Sequence, residues 1–100
     1  MTLSVIISTK DHEAVIERAL KSVKFADEII VVDLHSQDKT VDIVKKYTDK
    51  VFSHQNYGYI EPVRNFSISK TTGDWILIID ADEEVTPGLK KAISSIVKAK

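Results

Sequence analysis

Four carboxylates directly follow a short apolar segment near the end of this 100-residue chain. The segment is Trp75–Ile79, and the carboxylates belong to Asp80, Asp82, Glu83 and Glu84. Repulsion among them costs free energy unless water, a helix N-terminus or a cation compensates. Carboxylate oxygens suit hard divalent cations such as Mg²⁺ or Mn²⁺. A cation of this kind would also bind the oxygens of a diphosphate and stabilise their negative charge.

Asp80 and Asp82 are the candidate metal ligands in this group. Their spacing can put two carboxylates on the same side of an extended chain. Alternatively, these acidic residues precede a helix and favour its positive N-terminus, which is the interpretation we prefer for Glu84. For Asp80 and Asp82 we favour metal binding, because Asp80 directly follows a strand that we expect to be buried on both faces.

Two further polar residues could act at the same site. Asp33 could accept hydrogen bonds from a ribose or a base N–H, or it could bind backbone N–H groups of its own loop, and the sequence leaves both open. Arg64 falls in the first turn of a predicted helix, where the helix dipole disfavours a cation. A diphosphate partner would explain this arginine, and a solvated surface side chain is the alternative. Ser36 and Asp38 are expected to cap a helix.

These residues depend for their positions on four β-like segments that alternate with four helical ones. The patterns predict strands at Leu3–Ser8, Glu28–Val32, Lys50–Ser53 and Trp75–Ile79. They predict helices at Asp11–Lys24, Asp38–Tyr47 and Pro62–Lys70, and a last helix that starts at Thr86-Pro87. Asp11 is the predicted N-cap of the first helix, and Tyr57–Ile60 is a predicted loop.

Strict alternation of strands and helices predicts an α/β fold with a Rossmann-like parallel sheet and helices on both faces. We expect the strand order 3-2-1-4 within one domain, residues 1–100. In a parallel sheet the carboxyl ends of the strands share one edge, and open α/β sheets bind ligands there. The polar clusters at Thr9–Asp11, Asp33–Asp38 and Asp80–Glu83 should therefore meet at one ligand site.

The composition narrows the class of protein. Hydrophobic residues make up 43% and charged residues 29%, as in an ordinary soluble domain. The formal net charge is −1 and no long basic run occurs, so nucleic-acid binding has little support. The chain has no cysteine, which excludes disulfides and thiolate metal sites. Its apolar runs are too short to span a bilayer. We expect cytoplasmic residence, and docking at the inner face of the membrane stays open.

Six motifs in collinear order make the chain resemble the N-terminal half of a family 2 glycosyltransferase with the GT-A fold. They are "SVIISTK" at Ser4–Lys10, "ADEIIVVD" at Ala26–Asp33, S-x-D-x-T at Ser36–Thr40, "RNF" at Arg64–Phe66, "TGDWIL" at Thr72–Leu77 and "DADEE" at Asp80–Glu84. Each motif alone is weak, but together they span almost the whole chain. The branch that contains lipopolysaccharide core glucosyltransferases looks closest.

The resemblance implies a donor site for a nucleotide-diphosphate sugar, with UDP as the nucleotide. Thr9 and Asp33 would hold the nucleoside, with Asp33 near the uracil. Asp80 would approach the ribose or the metal, Asp82 would ligate Mg²⁺ or Mn²⁺, and Arg64 would lie near the phosphates. Members are inverting enzymes, in which a carboxylate base deprotonates the hydroxyl of the acceptor, here a saccharide or a lipid-linked acceptor of the full-length form.

Three departures from the family pattern affect this interpretation. The branch usually has Asn-Glu where Asp11-His12 stands, and a small residue where His35 stands. The family also continues well past the Asp-x-Asp element, so we expect the catalytic base beyond residue 100. A non-catalytic α/β nucleotide-binding or regulatory module is the alternative function. A nucleotidyltransferase is disfavoured, because "STKDHE" lacks the glycines of a phosphate-binding loop.

Overall fold

The structure is a computed structural model that describes residues 1–55 and 61–98. Its strands are β1 (Leu3–Thr9), β2 (Glu28–Asp33), β3 (Val51–Ser53) and β4 (Trp75–Asp80). Its helices are α1 (Ile16–Ser22), α2 (Thr40–Val44), α3 (Glu61–Ser69) and α4 (Pro87–Lys98). The predicted loop at Tyr57–Ile60 lies outside the described residues. No helix in the described ranges is both long and apolar enough to cross a membrane.

The strands form one parallel sheet in the order β3-β2-β1-β4, as the sequence predicted. β1 lies between β2 and β4, so it occupies the most enclosed position. Its residues from Leu3 to Ile7 are all buried, which explains the continuous apolar run of this strand. The parallel arrangement brings the carboxyl ends of the strands to one edge of the sheet.

Helices cover both faces of the sheet, and side chains that alternate along the strands divide the core into two clusters. Val5 and Ile7 of β1 belong to the larger cluster, which includes residues of α1, α2 and α4. Ile6 points to the opposite face and belongs to a smaller cluster with Val32 of β2 and Val63 of α3. The prediction of helices on both faces is therefore confirmed.

Two predicted helices are longer than the observed ones. α1 begins at Ile16 rather than Asp11, and α2 covers Thr40–Val44 rather than residues 38–47. The prediction that Asp11 caps α1 is wrong, because Asp11 has a positive φ of 55° and its carboxylate accepts a hydrogen bond from the loop after β2. The apolar spacing was helical, but the polar residues before it form a turn with bonds of their own.

The prediction that strand β4 is buried on both faces is wrong. Ile76 and Ile78 are 40% and 42% exposed, and Trp75 is also exposed. Ile79 is buried and Leu77 packs against the larger cluster, so only one face of β4 is covered. Among the described residues β4 pairs only with β1, so it is an edge strand, as the predicted order 3-2-1-4 implies.

A buried carboxylate joins the amino-terminal ends of these elements. Glu28, at the start of β2, accepts hydrogen bonds from the Ser4 hydroxyl of β1 and from the backbone N–H and hydroxyl of Thr72, which precedes β4. It also forms a salt bridge with Lys50, which precedes β3. Burial alone would raise the pKa of Glu28, but these partners lower it to about 2.

Candidate functional site

Three of the predicted site residues lie side by side at the carboxyl edge of the sheet. Thr9 ends β1 and is the Cα partner of Asp33, which ends β2. Asp80 ends β4 and is the Cα partner of Ser8, one residue before Thr9. Residues that the sequence separates by up to 71 positions thus meet on neighbouring strands, as the parallel fold predicted.

The register places these side chains on two different faces of the sheet. Thr9 and Asp33 are partners, two residues beyond Ile7 and Val31, so they share the face of the larger core cluster. Asp80 is the partner of Ser8 and lies two residues beyond Ile78, so it shares the face of α3. The sequence had predicted convergence at one edge, but it had not shown this division.

Thr9 is almost completely buried, at 1% exposure, and its hydroxyl lies 2.9 Å from Nδ1 of His12. The backbone N–H of Lys10 donates to the same ring nitrogen at 3.1 Å. A backbone N–H only donates, so Nδ1 is an acceptor, and the Thr9 hydroxyl also donates to it. The ring hydrogen of this tautomer is on Nε2. His12, a departure from the family pattern, therefore fixes the Thr9 hydroxyl.

Asp33 is 4% exposed, and Ser36 contacts both of its carboxylate oxygens. The Ser36 backbone N–H donates to Oδ2 at 3.0 Å, and its hydroxyl donates to Oδ1. One of the two interpretations left open by the sequence, binding within its own loop, is thus observed. Each carboxylate oxygen can accept a second hydrogen bond, so a ligand contact remains compatible with these bonds.

The loops that follow β1 and β2 both contain a residue with positive φ. Asp11 has φ 55° and His35 has φ 62°. Only a few per cent of non-glycine residues adopt this conformation, and Asn, Asp and His are enriched among them. These are the two positions at which the family that the sequence resembles usually has an asparagine and a small residue. Both departures are therefore compatible with the backbone at these positions.

The structure modifies the prediction for the two candidate metal ligands, Asp80 and Asp82. β4 ends at Asp80 and the chain turns at Ala81 and Asp82, so the expected extended spacing is wrong. Two bonds stabilise the turn: the Asp80 N–H donates to Oε1 of Glu83 at 2.6 Å, and the Glu83 N–H donates to the Asp80 carbonyl at 3.0 Å. Glu83 thus supports the turn, a role that the sequence had not indicated.

The donor set at this turn fits a divalent cation that binds together with phosphate. Asp80 and Asp82 both lie exposed beside the strand end. Within residues 1–55 and 61–98, no group of three or more His, Cys, Asp or Glu side chains could hold a metal ion. Mg²⁺, however, is commonly held by one or two carboxylates, water and substrate phosphates rather than by a cage of protein ligands. Two exposed carboxylates agree with such a site.

Arg64 lies on the same face of the sheet as Asp80. Both residues line a small cleft of about 30 Å³ together with Ser8 of β1 and Ser67 of α3. The Arg64 side chain is exposed, so it keeps donors available for an anion. This exposed position agrees with both interpretations of the sequence, a diphosphate partner and a solvated surface arginine.

Sequence reasoning assigned Ser36 the wrong role and missed Arg18. Ser36 was expected to cap a helix, but it binds Asp33 and Asp11 instead. Arg18 approaches the turn after β4 through a weak 3.5 Å contact from Nη2 to the Asp82 carbonyl. No local signal marks Arg18, because its partner lies 64 residues further along the chain.

A larger cavity of about 410 Å³ lies at the opposite edge of the sheet. Its lining residues include Lys24, Glu28, Lys46, Tyr47 and Lys50. It adjoins the amino-terminal ends of β2 and β3, whereas open parallel sheets bind ligands at the carboxyl ends of their strands. We therefore assign the candidate site to the Thr9, Asp33 and Asp80 edge despite its smaller cleft.

Comparisons with known proteins show the family of this chain. The family described as "Glycosyl transferase family 2" matches residues 4–99. An uncharacterized glycosyltransferase from Rickettsia typhi is 44% identical over 95 residues, which cover 94% of this chain and 32% of that protein.

Two solved structures share the fold of this chain. S. aureus TarS 1-349 in complex with UDP-GlcNAc has a TM-score of 0.78 at 28% identity, over 99% of this chain and 32% of that one. Glucosyl-3-phosphoglycerate synthase from Mycobacterium tuberculosis in complex with Mn²⁺ and UDP-glucose has a TM-score of 0.68 at 27% identity, over 81% and 33%. The chain thus spans about a third of the length of the relatives it matches.

Proposed function

We propose a function that follows from the family: the chain belongs to glycosyl transferase family 2. In this proposal it is the donor-binding part of a glycosyltransferase and binds the nucleotide of a nucleotide-diphosphate sugar, with UDP as the nucleotide. The observation that carries the proposal is the alignment of Thr9, Asp33 and Asp80 on three neighbouring parallel strands at the carboxyl edge. Two structural neighbours of the chain were solved with UDP-sugars.

The nucleoside would lie on the Thr9 and Asp33 side of this edge. Asp33 offers carboxylate oxygens that can accept a base or ribose donor in addition to the bonds from Ser36. The diphosphate would lie on the other side, where Arg64 can donate charge-assisted hydrogen bonds. This orientation assigns the nucleoside to β2 and the phosphates to β4.

Asp82, supported by Asp80, would hold Mg²⁺ or Mn²⁺ together with the phosphates. Exposed carboxylates at the end of β4 support this assignment, and one structural neighbour was solved with Mn²⁺ and UDP-glucose. A bound divalent cation would stabilise the negative charge of the leaving diphosphate. The turn held by Glu83 keeps the two aspartates at the strand end.

The transfer step would need residues outside this chain. We propose inversion at the anomeric carbon, with a base beyond residue 100 that deprotonates the acceptor hydroxyl, as the resemblance implies. The acceptor would be a saccharide or a lipid-linked saccharide in cell-surface polysaccharide or lipopolysaccharide synthesis. Cytoplasmic residence, or peripheral binding at the inner face of the membrane, would give access to such acceptors.

Calorimetry with UDP tests the proposal directly. We expect UDP to bind, and to bind more tightly with Mn²⁺ than without it, while AMP serves as a control that lacks both uracil and the diphosphate. The variant Asp33→Asn should weaken UDP binding, because an amide presents one acceptor oxygen where the carboxylate presents two. Absence of UDP binding with Mn²⁺ would refute the donor-site function of this chain and favour a regulatory module.

A further inference from the structure

The loops that follow β1 and β2 are joined by hydrogen bonds between side chains and backbone. We propose that Asp11 is a positioning residue: it fixes Ser36, and through Ser36 it holds the Asp33 carboxylate in the orientation that receives the nucleoside. This inference rests on the proposed function. It assigns to the proposed donor site a residue, Asp11, that does not itself contact the donor. We call residues Asp11, Ser36 and Gln37, with their mutual bonds, the loop clasp.

The loop clasp contacts Asp33 through a single residue. Ser36 donates to both oxygens of the Asp33 carboxylate, from its backbone N–H and from its hydroxyl. The Ser36 oxygen in turn accepts a hydrogen bond of 2.8 Å from the Asp11 backbone N–H. Its hydroxyl hydrogen is therefore directed at Asp33 rather than free to rotate. The orientation of this hydroxyl depends on where Asp11 places its own N–H.

Asp11 also holds the chain on the other side of Ser36. Its Oδ1 accepts a hydrogen bond of 2.6 Å from the backbone N–H of Gln37, the residue that follows Ser36. The backbone of Asp11 donates to the Ser36 side chain while its carboxylate accepts from the next residue. Ser36 is thus fixed at both its side chain and its following peptide.

The backbone conformation of Asp11 makes this double contact feasible. Its φ of 55° lies in the left-handed region, which is uncommon for residues other than glycine although asparagine and aspartate adopt it more readily than most. A non-glycine residue persists there only where the surrounding structure holds it. The hydrogen bonds to Ser36 and Gln37 hold Asp11 in this conformation. Because Ser36 also binds Asp33, the backbone conformation of Asp11 affects the position of the Asp33 carboxylate.

Other bonds hold the two loops together without Asp11. The His12 N–H donates to the Thr40 hydroxyl at 2.8 Å, and the Glu13 N–H donates to Asp38 at 3.1 Å. Burial alone would raise the pKa of Asp38, but hydrogen bonds from Thr40 and from the Glu13 backbone lower it. Loss of the Asp11 carboxylate should therefore loosen Ser36 while the loops stay folded.

A fixed Asp33 would favour binding, because a carboxylate already oriented for its ligand does not lose rotational freedom when the ligand arrives. The same carboxylate with a mobile Ser36 would have to be ordered during binding. The effect of Asp11 should therefore appear in the affinity for the nucleotide more than in the stability of the fold.

Two substitutions at position 11 separate positioning from backbone strain. Asp11→Asn keeps an acceptor oxygen and a residue that tolerates positive φ, whereas Asp11→Gly keeps the φ and removes the acceptor. Without ligand, amide hydrogen exchange followed by NMR should show faster exchange at Ser36 and Gln37 in the glycine variant, and near wild-type exchange in the asparagine variant. By calorimetry, UDP affinity in the presence of Mn²⁺ should fall about tenfold in the glycine variant, because a mobile Asp33 has to be ordered as the ligand binds, and recover in the asparagine variant, which keeps the acceptor.

The outcomes of these measurements can be told apart. Unchanged exchange at Ser36 and Gln37 in Asp11→Gly would overturn the loop clasp, whatever the protein binds. Faster exchange with unchanged UDP affinity would reduce Asp11 to a structural role and overturn positioning. If wild-type protein binds no UDP, the proposed function fails together with the nucleoside role of Asp11, while the exchange data still decide whether Asp11 holds Ser36.

Discussion

The Glu28 carboxylate accepts hydrogen bonds from both the backbone N–H and the hydroxyl of Thr72, at 2.8 and 3.0 Å, across 44 residues of sequence. Thr72 directly precedes the turn into β4, so this contact ties the edge strand to the start of β2. Ser4 and Lys50 bind the same carboxylate. A single buried charge therefore organises the side of the sheet that is remote from the candidate site.

Replacement of this carboxylate should destabilise the fold without affecting nucleotide binding. We expect Glu28→Gln to lower the free energy of unfolding at pH 7 by about 2 kcal/mol, because it removes a buried, charge-assisted set of hydrogen bonds. Urea unfolding measures the change. Glu84→Gln, at an exposed position, should change stability by less than about 0.5 kcal/mol. Equal effects in both variants would contradict the role of Glu28.

The same carboxylate should make stability depend on acid pH. The pKa of Glu28 is lowered from 4.5 to about 2 in the folded protein, so its contribution is present above pH 4.5 and is lost as the pH falls towards 2. The difference in unfolding free energy between wild type and Glu28→Gln should therefore shrink between pH 5 and pH 2. Urea unfolding across this range checks the prediction, and a constant difference would contradict it.

The two glycines that the structure describes should respond in opposite directions to alanine. A Cβ on Gly73 would lie 2.5 Å from the Ser4 Oγ and 2.9 Å from the Ser4 backbone nitrogen, so Gly73→Ala should destabilise by about 1–3 kcal/mol. Gly88 lies in α4 with nothing within 4 Å of such a Cβ, and Gly88→Ala should stabilise by about 0.5–1 kcal/mol. Thermal melts of both variants measure the two changes in stability. Loss of stability in both variants would contradict the prediction that the two glycines respond in opposite directions.

A substitution at Asp82 tests the proposed metal site. Asp82→Asn keeps the shape of the side chain but removes a formal charge, so UDP binding in the presence of Mn²⁺ should weaken about tenfold, or roughly 1.4 kcal/mol. Stability should hold or rise, because repulsion with neighbouring carboxylates is relieved. Calorimetry and melts with and without Mn²⁺ measure both quantities. Glu84→Gln is the matched control, and a small loss of stability with unchanged UDP binding would instead support a helix-capping role for Asp82.

The open edge at β4 should promote self-association. Exposed apolar residues on an edge strand invite pairing with another chain, and Ile76 is 40% exposed there. Light scattering should show association that rises with concentration. Ile76→Lys should reduce it, because charge on an edge strand opposes pairing. A clean wild-type monomer at high concentration would exclude this behaviour.

The sequence was sufficient for the order of the strands and for the position of Thr9, Asp33 and Asp80 at one edge of the sheet. Alternating β and α patterns predict parallel strands, and their carboxyl ends carry Thr9, Asp33 and Asp80 whatever the details of the helices. The start of α1 was wrong because hydrogen bonds between Asp11 and the loop after β2 override the local preference for a cap. Such bonds join residues 25 to 27 positions apart, and no local pattern contains them.

The burial of β4 could not be predicted from its composition. Trp75–Ile79 is as apolar as a strand buried on both faces, and the sequence does not say how much of one face the neighbouring helix covers. The structure leaves Ile76 and Ile78 largely exposed there. The division of Thr9 and Asp80 between faces also required the register, because a shift of one residue in the pairing would put both side chains on the same face.

Asp33 and Asp80 lie on opposite faces of the sheet, and β1 lies between their strands. This placement limits the length of a ligand that could contact both side chains. Neighbouring strands lie about 4.8 Å apart, so the two strand ends are separated by about 10 Å along the edge. A ligand that contacts both carboxylates needs at least this reach and has to cross over the end of β1. In the proposed donor site, the two aspartates would therefore favour ligands that are long enough to reach both strand ends.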